Sequence, residues 1–159
     1  MNIKERIIIS LILIISGIIL AEISTTIKAL EQKNIKVHVL QIYDGDTYVV
    51  KLPEMPEYFK HLKWKVRLNG IDTPEISHRA KCKEELEKGL EAKHLAEKII
   101  LDNGGYIELR NIKHGKYAGR IIADVYVGDV NLSQLLITKK LGYVYNGGKR
   151  ENIWCEENK

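Results

Sequence analysis

Cysteine and proline are both scarce: the 159 residues hold two of the first and three of the second. Two cysteines are too few for a disulfide-built miniprotein, and no CxxC or CxxH spacing suggests structural zinc. Internal repeats and low-complexity tracts are missing as well. With 45% apolar and 29% charged residues the chain is globular in composition, neither disordered nor collagen-like. No charge of one sign dominates: 25 basic against 21 acidic residues leave +4. That balance permits an anionic partner without demanding one, and argues against a histone-like arm or a purely electrostatic DNA coat. The length suits one domain and not two comfortable ones.

What is present begins with an apolar run at the N-terminus. Lys4 and Arg6 precede 15 uncharged residues, 7–21, and Glu22 follows them. A basic start, an apolar stretch and Ala21 as a small residue at a cleavage point are the parts of an export signal. As a helix the run spans roughly 22 Å, short of a hydrocarbon core of about 30 Å. An uncleaved membrane anchor is therefore the second reading and a buried core helix the third. In the first two the charge order leaves the C-terminal domain outside the cytoplasm, secreted, periplasmic or membrane-anchored. Residues 1–21 are expected to be a signal peptide or membrane anchor, 22–35 a linker (or weak helix), and 36–155 the folded domain. Export would permit a disulfide between Cys82 and Cys155, with buried thiols as the alternative.

The remaining pattern is that of a single α+β domain. Residues 36–43 (KVHVLQIY) and 47–52 (TYVVKL) are β-rich runs around Asp44-Gly45-Asp46, and read as a hairpin. Residues 63–71 (KWKVRLNGI) make a third strand by the alternation of Trp64, Val66 and Leu68. A helix is expected over 83–101, with Leu86, Gly89, Leu90, Ala92, Ala96, Ile99 and Ile100 in one half of its wheel. Asn103-Gly104-Gly105 stops it. Two further strands, 106–112 and 120–127, flank a Lys/Gly-rich turn. Asn131 then caps a short helix running to Leu141, with Gln134 at the capping-box position and Gly142 as its stop. Five strands with a helix between the third and fourth form the pattern of an OB-type β-barrel with flanking helices.

Four short motifs carry the chemistry. The first is Asp44-Gly45-Asp46-Thr47, on its own a common hairpin turn. The second is RLNGIDTPE, 67–75, in which a strand delivers Arg67 and a proline-stiffened loop presents Asp72 and Glu75. The third, Lys116-Tyr117-Ala118-Gly119-Arg120, is a basic and aromatic turn entering the fifth strand. The fourth is YVYNGGK, 143–149, which puts Tyr143 and Tyr145 on one side of an extended segment. Taken singly, each also reads as a turn, a surface ion pair, a solvated loop or a core edge.

In this order, DGDT, RLxGIDTPE, KYxxR and a capped helix ending in GxxYNGG, the motifs resemble the staphylococcal nuclease (thermonuclease) family. The resemblance covers about residues 36–150, and NLSQLL, YNGGKR and the late Trp154-Cys155 support it. It implies an OB-fold barrel, calcium dependence, and endonuclease cleavage of DNA and RNA to 3′-phosphate ends. Asp46, Asp72 and the Thr73 carbonyl are the implied calcium ligands, and Asp44 lies close enough by sequence to support them. Calcium takes six to eight oxygen ligands, so few protein ligands suggest weak affinity suited to calcium-rich surroundings. Glu75 is the implied base that deprotonates the attacking water. Arg67 and Arg120 offer planar forks that hold a phosphate and meet the charge growing in the transition state. Lys116, Tyr117 and Tyr145 are the implied contacts to the terminal phosphate or nucleoside, with Tyr143 as their neighbour and with stacking that tolerates any base.

Two departures from the family pattern stand out. Both Ala118 and Gly119 separate Tyr117 from Arg120, where the family has one residue, and the stretch 52–63 is longer than the usual hairpin connection. The five histidines, His38, His61, His78, His94 and His114, show no metal-ligand spacing, and none is expected to be catalytic. The charge run 81–98 reads as a solvated helix face. Two other classes are open: a non-catalytic nucleic-acid-binding module and a membrane-tethered structural domain. A pure phosphate-binding groove gains nothing from Asp46, Asp72 and Glu75 among its arginines, because they repel the ligand. No protein partner is legible, and a monomer is expected.

Overall fold

The computed structural model describes residues 2–31, 34–53, 55–150 and 153–155. The chain divides into two units, Met1–Lys33 and Asn34–Lys159. The first is a single helix, α1 (Ile3–Glu31), whose apolar side chains from Ile8 to Leu20 are largely exposed. It runs on through 22–31, part of the stretch expected as a linker or weak helix, while residues 1, 32 and 33 of those segments lie outside the described ones. Among the described residues no helix is long and apolar enough to cross a membrane.

The second unit is built, in chain order, from β1 (Ile35–Ile42), β2 (Thr47–Val50), β3 (Trp64–Leu68), β4 (Ile71–Asp72), α2 (Lys83–Asp102), β5 (Tyr106–His114), β6 (Arg120–Val127), β7 (Val130–Asn131), α3 (Leu132–Thr138) and β8 (Tyr143–Val144). β1 pairs antiparallel with β2 and β5, β2 with β3, and β5 with β6. β3 then meets β6 in parallel, Lys65 opposite Arg120 and Arg67 opposite Ile122. That last pairing closes a five-stranded mixed barrel of OB type, α+β with the expected helices around it.

Alternation places the core. Along β6 every second residue is buried, namely Ile121, Ala123, Val125 and Val127, while Arg120 and Ile122 face outward. Val37, Tyr48, Val50, Val66, Leu68, Ile107 and Leu109 complete the barrel interior. α2 lays Ala92, Ala96 and Ile100 against it, and each full burial the size of Ile100 contributes roughly 2 kcal/mol. Gly89 lets α2 come closer still: a Cβ there would lie 2.7 Å from the Glu75 carbonyl oxygen and 2.8 Å from that of Pro74. The helix is thus packed directly on the backbone of the loop that carries Glu75.

Several sequence expectations are corrected in detail. Leu90 of α2 is exposed, and Glu85 takes the buried place on that face. The third strand breaks after Leu68, because Gly70 turns in the left-handed region (φ +76°) and Ile71–Asp72 leaves the barrel to pair with β8. α3 ends at Thr138, short of Leu141. Its stop is Lys140 in a left-handed conformation (φ 59°), with the Lys140 and Leu141 amides returning to the Ile137 and Leu136 carbonyls. Gly142 serves close packing instead, since a Cβ there would meet Ile71 Cδ1 at 2.6 Å. Asn131 does cap α3, accepting from the Gln134 amide at 3.0 Å.

Candidate active site

The site lies where the β1–β2 turn, β3, β4 and the loop after β4 bring Asp44, Asp46, Arg67, Asp72 and Glu75 together. The β1–β2 turn is closed by the Tyr43 amide donating to the Thr47 carbonyl (2.9 Å), and Asp44 Oδ1 accepts from the Asp46 amide (3.2 Å). Asp46 is 1% exposed and its carboxylate is fully engaged. Oδ2 accepts the Thr73 amide (2.8 Å) and hydroxyl (3.0 Å), and Oδ1 accepts the Thr47 hydroxyl and Arg67 Nη1. The other terminal nitrogen of Arg67 donates to Asp72 Oδ1, so one guanidinium bridges two buried aspartates.

Electrostatics follow from that burial. Desolvation, with Asp44 and Asp72 nearby, pushes the Asp46 carboxyl up to about 7 against the opposing pull of Arg67 and the Thr73 amide. Burial works against the charge on Arg67, but Asp46 and Asp72 outweigh it and hold the guanidinium above its ordinary value. Tyr48, beneath the turn with its hydroxyl on the Gly45 carbonyl (2.9 Å), is held well above the usual phenol range, mainly by burial.

Glu75 stands at the mouth between two further arginines. Its Oε1 accepts from Arg150 Nη1, and Arg79 Nε lies 3.0 Å from Oε2. Oε2 is buried and, among the described residues, accepts no hydrogen bond. Arg79 also pairs with Asp44 Oδ2 at 3.1 Å. Arg150 reaches further: Nε donates to Asp72 Oδ2 (2.6 Å) and Nη2 to the Thr73 carbonyl (3.1 Å). Burial disfavours its charge, but hydrogen bonds to Asp72 and Glu75 raise its pKa well beyond that of a free arginine. Asp72 Oδ2 also accepts the Tyr143 hydroxyl (3.0 Å).

Arg79, Arg150 and Glu85 were not among the residues given roles from sequence, and Tyr143, expected as a neighbour of the substrate contacts, donates its hydroxyl to Asp72. Arg150 sits inside the YNGGKR stretch, but its partners lie 75 to 78 residues away. Two devices bring it there: the β4–β8 pairing of Asp72 with Tyr143, and a disulfide between Cys82 and Cys155. Of the two readings open for the cysteines, the bonded one holds. Glu85 works from below, its Oε1 accepting the Glu75 amide (3.2 Å) and its Oε2 the Lys81 amide (2.8 Å). A glutamate in the first turn of a helix is the one sequence signal that points to it.

The opposite wall is cationic and aromatic. A cleft of about 550 Å³ has Arg67, Asp72, Glu75, Lys116, Tyr117, Arg120, Tyr145 and Arg150 among its lining residues. Seven of the nine residues singled out from sequence therefore share one cleft, with Asp46 and Thr73 buried under it. The extra residue before Arg120 is absorbed in a turn: Gly119 is left-handed (φ 72°) and the Arg120 amide donates to the Tyr117 carbonyl at 3.2 Å. Arg120 keeps its guanidinium 5.6 Å from the Tyr117 ring centroid and makes no ion pair with any described residue. The described part of the longer stretch, 52–53 and 55–63, contributes to neither this cleft nor its neighbour.

A model of the family described as staphylococcal nuclease homologue matches residues 65–156. The chain belongs to the staphylococcal nuclease homologue family. Comparison with curated proteins finds no match. Membership makes this a nuclease-like, nucleic-acid-binding barrel, and the matched span carries Arg67, Asp72, Glu75, Arg120 and Arg150.

Proposed function

We propose that the domain is a calcium-dependent endonuclease that hydrolyses DNA and RNA to 3′-phosphate and 5′-hydroxyl ends. One observation carries this reading: Glu75, a carboxylate whose buried Oε2 is ion-paired with Arg79 but accepts no hydrogen bond among the described residues, shares a cleft with Arg120, an arginine that no described carboxylate neutralises. A phosphodiester is an anion, so attack by water needs a base and positive charge together. Glu75 takes a proton from water as the water oxygen bonds to phosphorus. The bond from phosphorus to the 5′-oxygen breaks, and that oxygen is protonated by solvent. Arg67 and Arg120 meet the charge that accumulates on the phosphoryl oxygens. The test is cleavage of single-stranded DNA and RNA by the protein in calcium and in chelator. Fragments that form only in calcium support the reading; tight binding without cutting assigns a non-catalytic module instead.

The oxygen set suits a hard cation. Arg150 holds Asp72 Oδ2, the Thr73 carbonyl and Glu75 Oε1 at once, so these oxygens already converge on one positive charge. Asp72 and the Thr73 carbonyl would hold calcium, which supplies positive charge beside the phosphate, and Asp46 would join them on giving up one of its present donors. Arg150 addresses two of the same oxygens. Replacing it in Arg150→Gln is therefore expected to tighten calcium binding, read by titration calorimetry without nucleic acid, by about 10-fold or more. Equal or weaker binding means that Arg150 braces the ligands and does not compete for them.

Arg120 is the residue whose assignment spans the additional turn residue. Arg120→Lys keeps the charge and loses the planar fork, so turnover is expected to fall about 10-fold or more with the melting temperature nearly unchanged. A silent variant removes Arg120 from phosphate contact. The reading also places the domain outside the cytoplasm, with the N-terminal apolar stretch as its export signal. The Cys82–Cys155 bond favours an oxidising compartment, and the N-terminus of chain recovered outside the cell checks it.

A further inference from the structure

The cleft does not end at Arg120. On its far side lies a second cavity of about 380 Å³, which shares Asp44, Thr47, Arg79 and Arg120 with the first. Its remaining wall includes Tyr43 and Lys65. Tyr43 is 39% exposed, and the Lys65 ammonium lies 5.0 Å from its ring centroid. Among the described residues Lys65 makes no ion pair. The first cavity is furnished the same way: Tyr117 is exposed, with the Lys116 ammonium 5.9 Å from its ring centroid. One exposed tyrosine with a lysine beside it thus stands on each side of Arg120.

The barrel explains why the two sets are aligned. Lys65 is the register partner of Arg120 across the β3–β6 closure and lies two residues before Arg67 on β3. Residues two apart on a strand share a face, so Lys65 and Arg67 form a row with about 6.6 Å between successive Cα positions. Tyr43 is fixed at the end of β1 by the hydrogen bond from its backbone amide to the Thr47 carbonyl. The row gives cations a spacing suited to successive phosphates, and the ring beside it suits a base.

We infer that this second cavity is a nucleotide subsite, in which Tyr43 stacks a base and Lys65 pairs with the next phosphate. It would receive the strand on the side of the scissile phosphate opposite to Tyr117 and Tyr145. The inference rests on the proposed phosphodiester substrate and adds that the protein grips its strand on both sides of the cut.

The test separates the two readings by measuring binding apart from cleavage. Single-stranded DNA oligonucleotides, lengthened one nucleotide at a time from either end of a dinucleotide, are titrated against the full chain in chelator by fluorescence anisotropy. One direction of lengthening is expected to add about 10-fold in affinity at a single step, the worth of one stacked base. Tyr43→Leu should abolish that step, and Lys65→Gln should lower the slope of log affinity against log salt by about one. The companion assay follows cleavage of the same oligonucleotides in calcium, where the KM ratio of longer to shorter substrate should rise in both variants. Cleavage with a length step insensitive to Tyr43 and Lys65 overturns the subsite and leaves the nuclease reading standing. A Tyr43-dependent step without any cleavage leaves the subsite and overturns the nuclease reading. If no oligonucleotide binds, both fall.

Discussion

Replacing Glu75 with glutamine is expected to lower turnover at least about 100-fold while the domain stays folded and still binds calcium. The amide matches the carboxylate in shape but cannot take a proton from water. Glu75 is held by its backbone as well as its side chain, through the hydrogen bond from its amide to Glu85 Oε1 and the close approach at Gly89, so the loop keeps its place without the charge. Loss of a negative charge between Arg79 and Arg150 leaves those guanidiniums freer for phosphate. Affinity for single-stranded DNA should therefore hold or rise as turnover falls, a combination that a misfolded variant does not produce. Steady-state kinetics with a binding isotherm reads both, and near-normal turnover removes Glu75 from the role of base.

The largest effect on stability is expected at Arg67. Its guanidinium bridges Asp46 and Asp72, which are 1% and 2% exposed in their side chains. Removing one partner of a buried pair leaves an uncompensated charge, at a cost of about 3–5 kcal/mol. Asp72 retains Arg150 and the Tyr143 hydroxyl, so the lower end applies. Arg67→Met should lower the melting temperature in chelator by about 10 °C or more. The pH dependence follows from Asp46, already pushed up from 3.8 to about 7 and raised further without Arg67. Below that range the aspartate is neutral and loses little when the arginine goes; above it the native state must hold the charge or bind a proton. The destabilisation is therefore expected to be greater near pH 8 than near pH 5. A loss of only a degree or two, or a larger loss in acid, contradicts the bridging role.

Much of this site was legible because its parts are local in sequence. Asp44, Asp46, Arg67, Asp72 and Glu75 lie in two short motifs at strand ends, where alternation and a Pro-stiffened loop already fix which way they point. The barrel was legible for the same reason, from runs such as RIIADVYV whose period of two survives in the structure. What was hidden depends on contacts between distant segments. Arg79 reads as one more charge beside a charged helix until the fold sets it against Asp44 and Glu75. Arg150 acquires its role only when β8 pairs with β4 and Cys155 reaches Cys82. Glu85 and Leu90 exchange their expected exposures, because two backbone amides near the helix start need a carboxylate more than the core needs another leucine. The α3 boundary moved because Lys140, with no sequence signature for a left-handed turn, supplied the stop expected of Gly142.

The most direct measurement of the central claim, that Glu75 activates water against a phosphorus held by arginines, is hydrolysis of a defined single-stranded DNA oligonucleotide in ¹⁸O-labelled water, with both fragments weighed by mass spectrometry. In calcium the 3′-phosphate of the upstream fragment should carry one heavy oxygen and the downstream fragment should begin with an unlabelled 5′-hydroxyl, with neither fragment formed in chelator. Fragments bearing 5′-phosphates, label on the 5′-hydroxyl, or an intact strand tightly held by folded protein would contradict it.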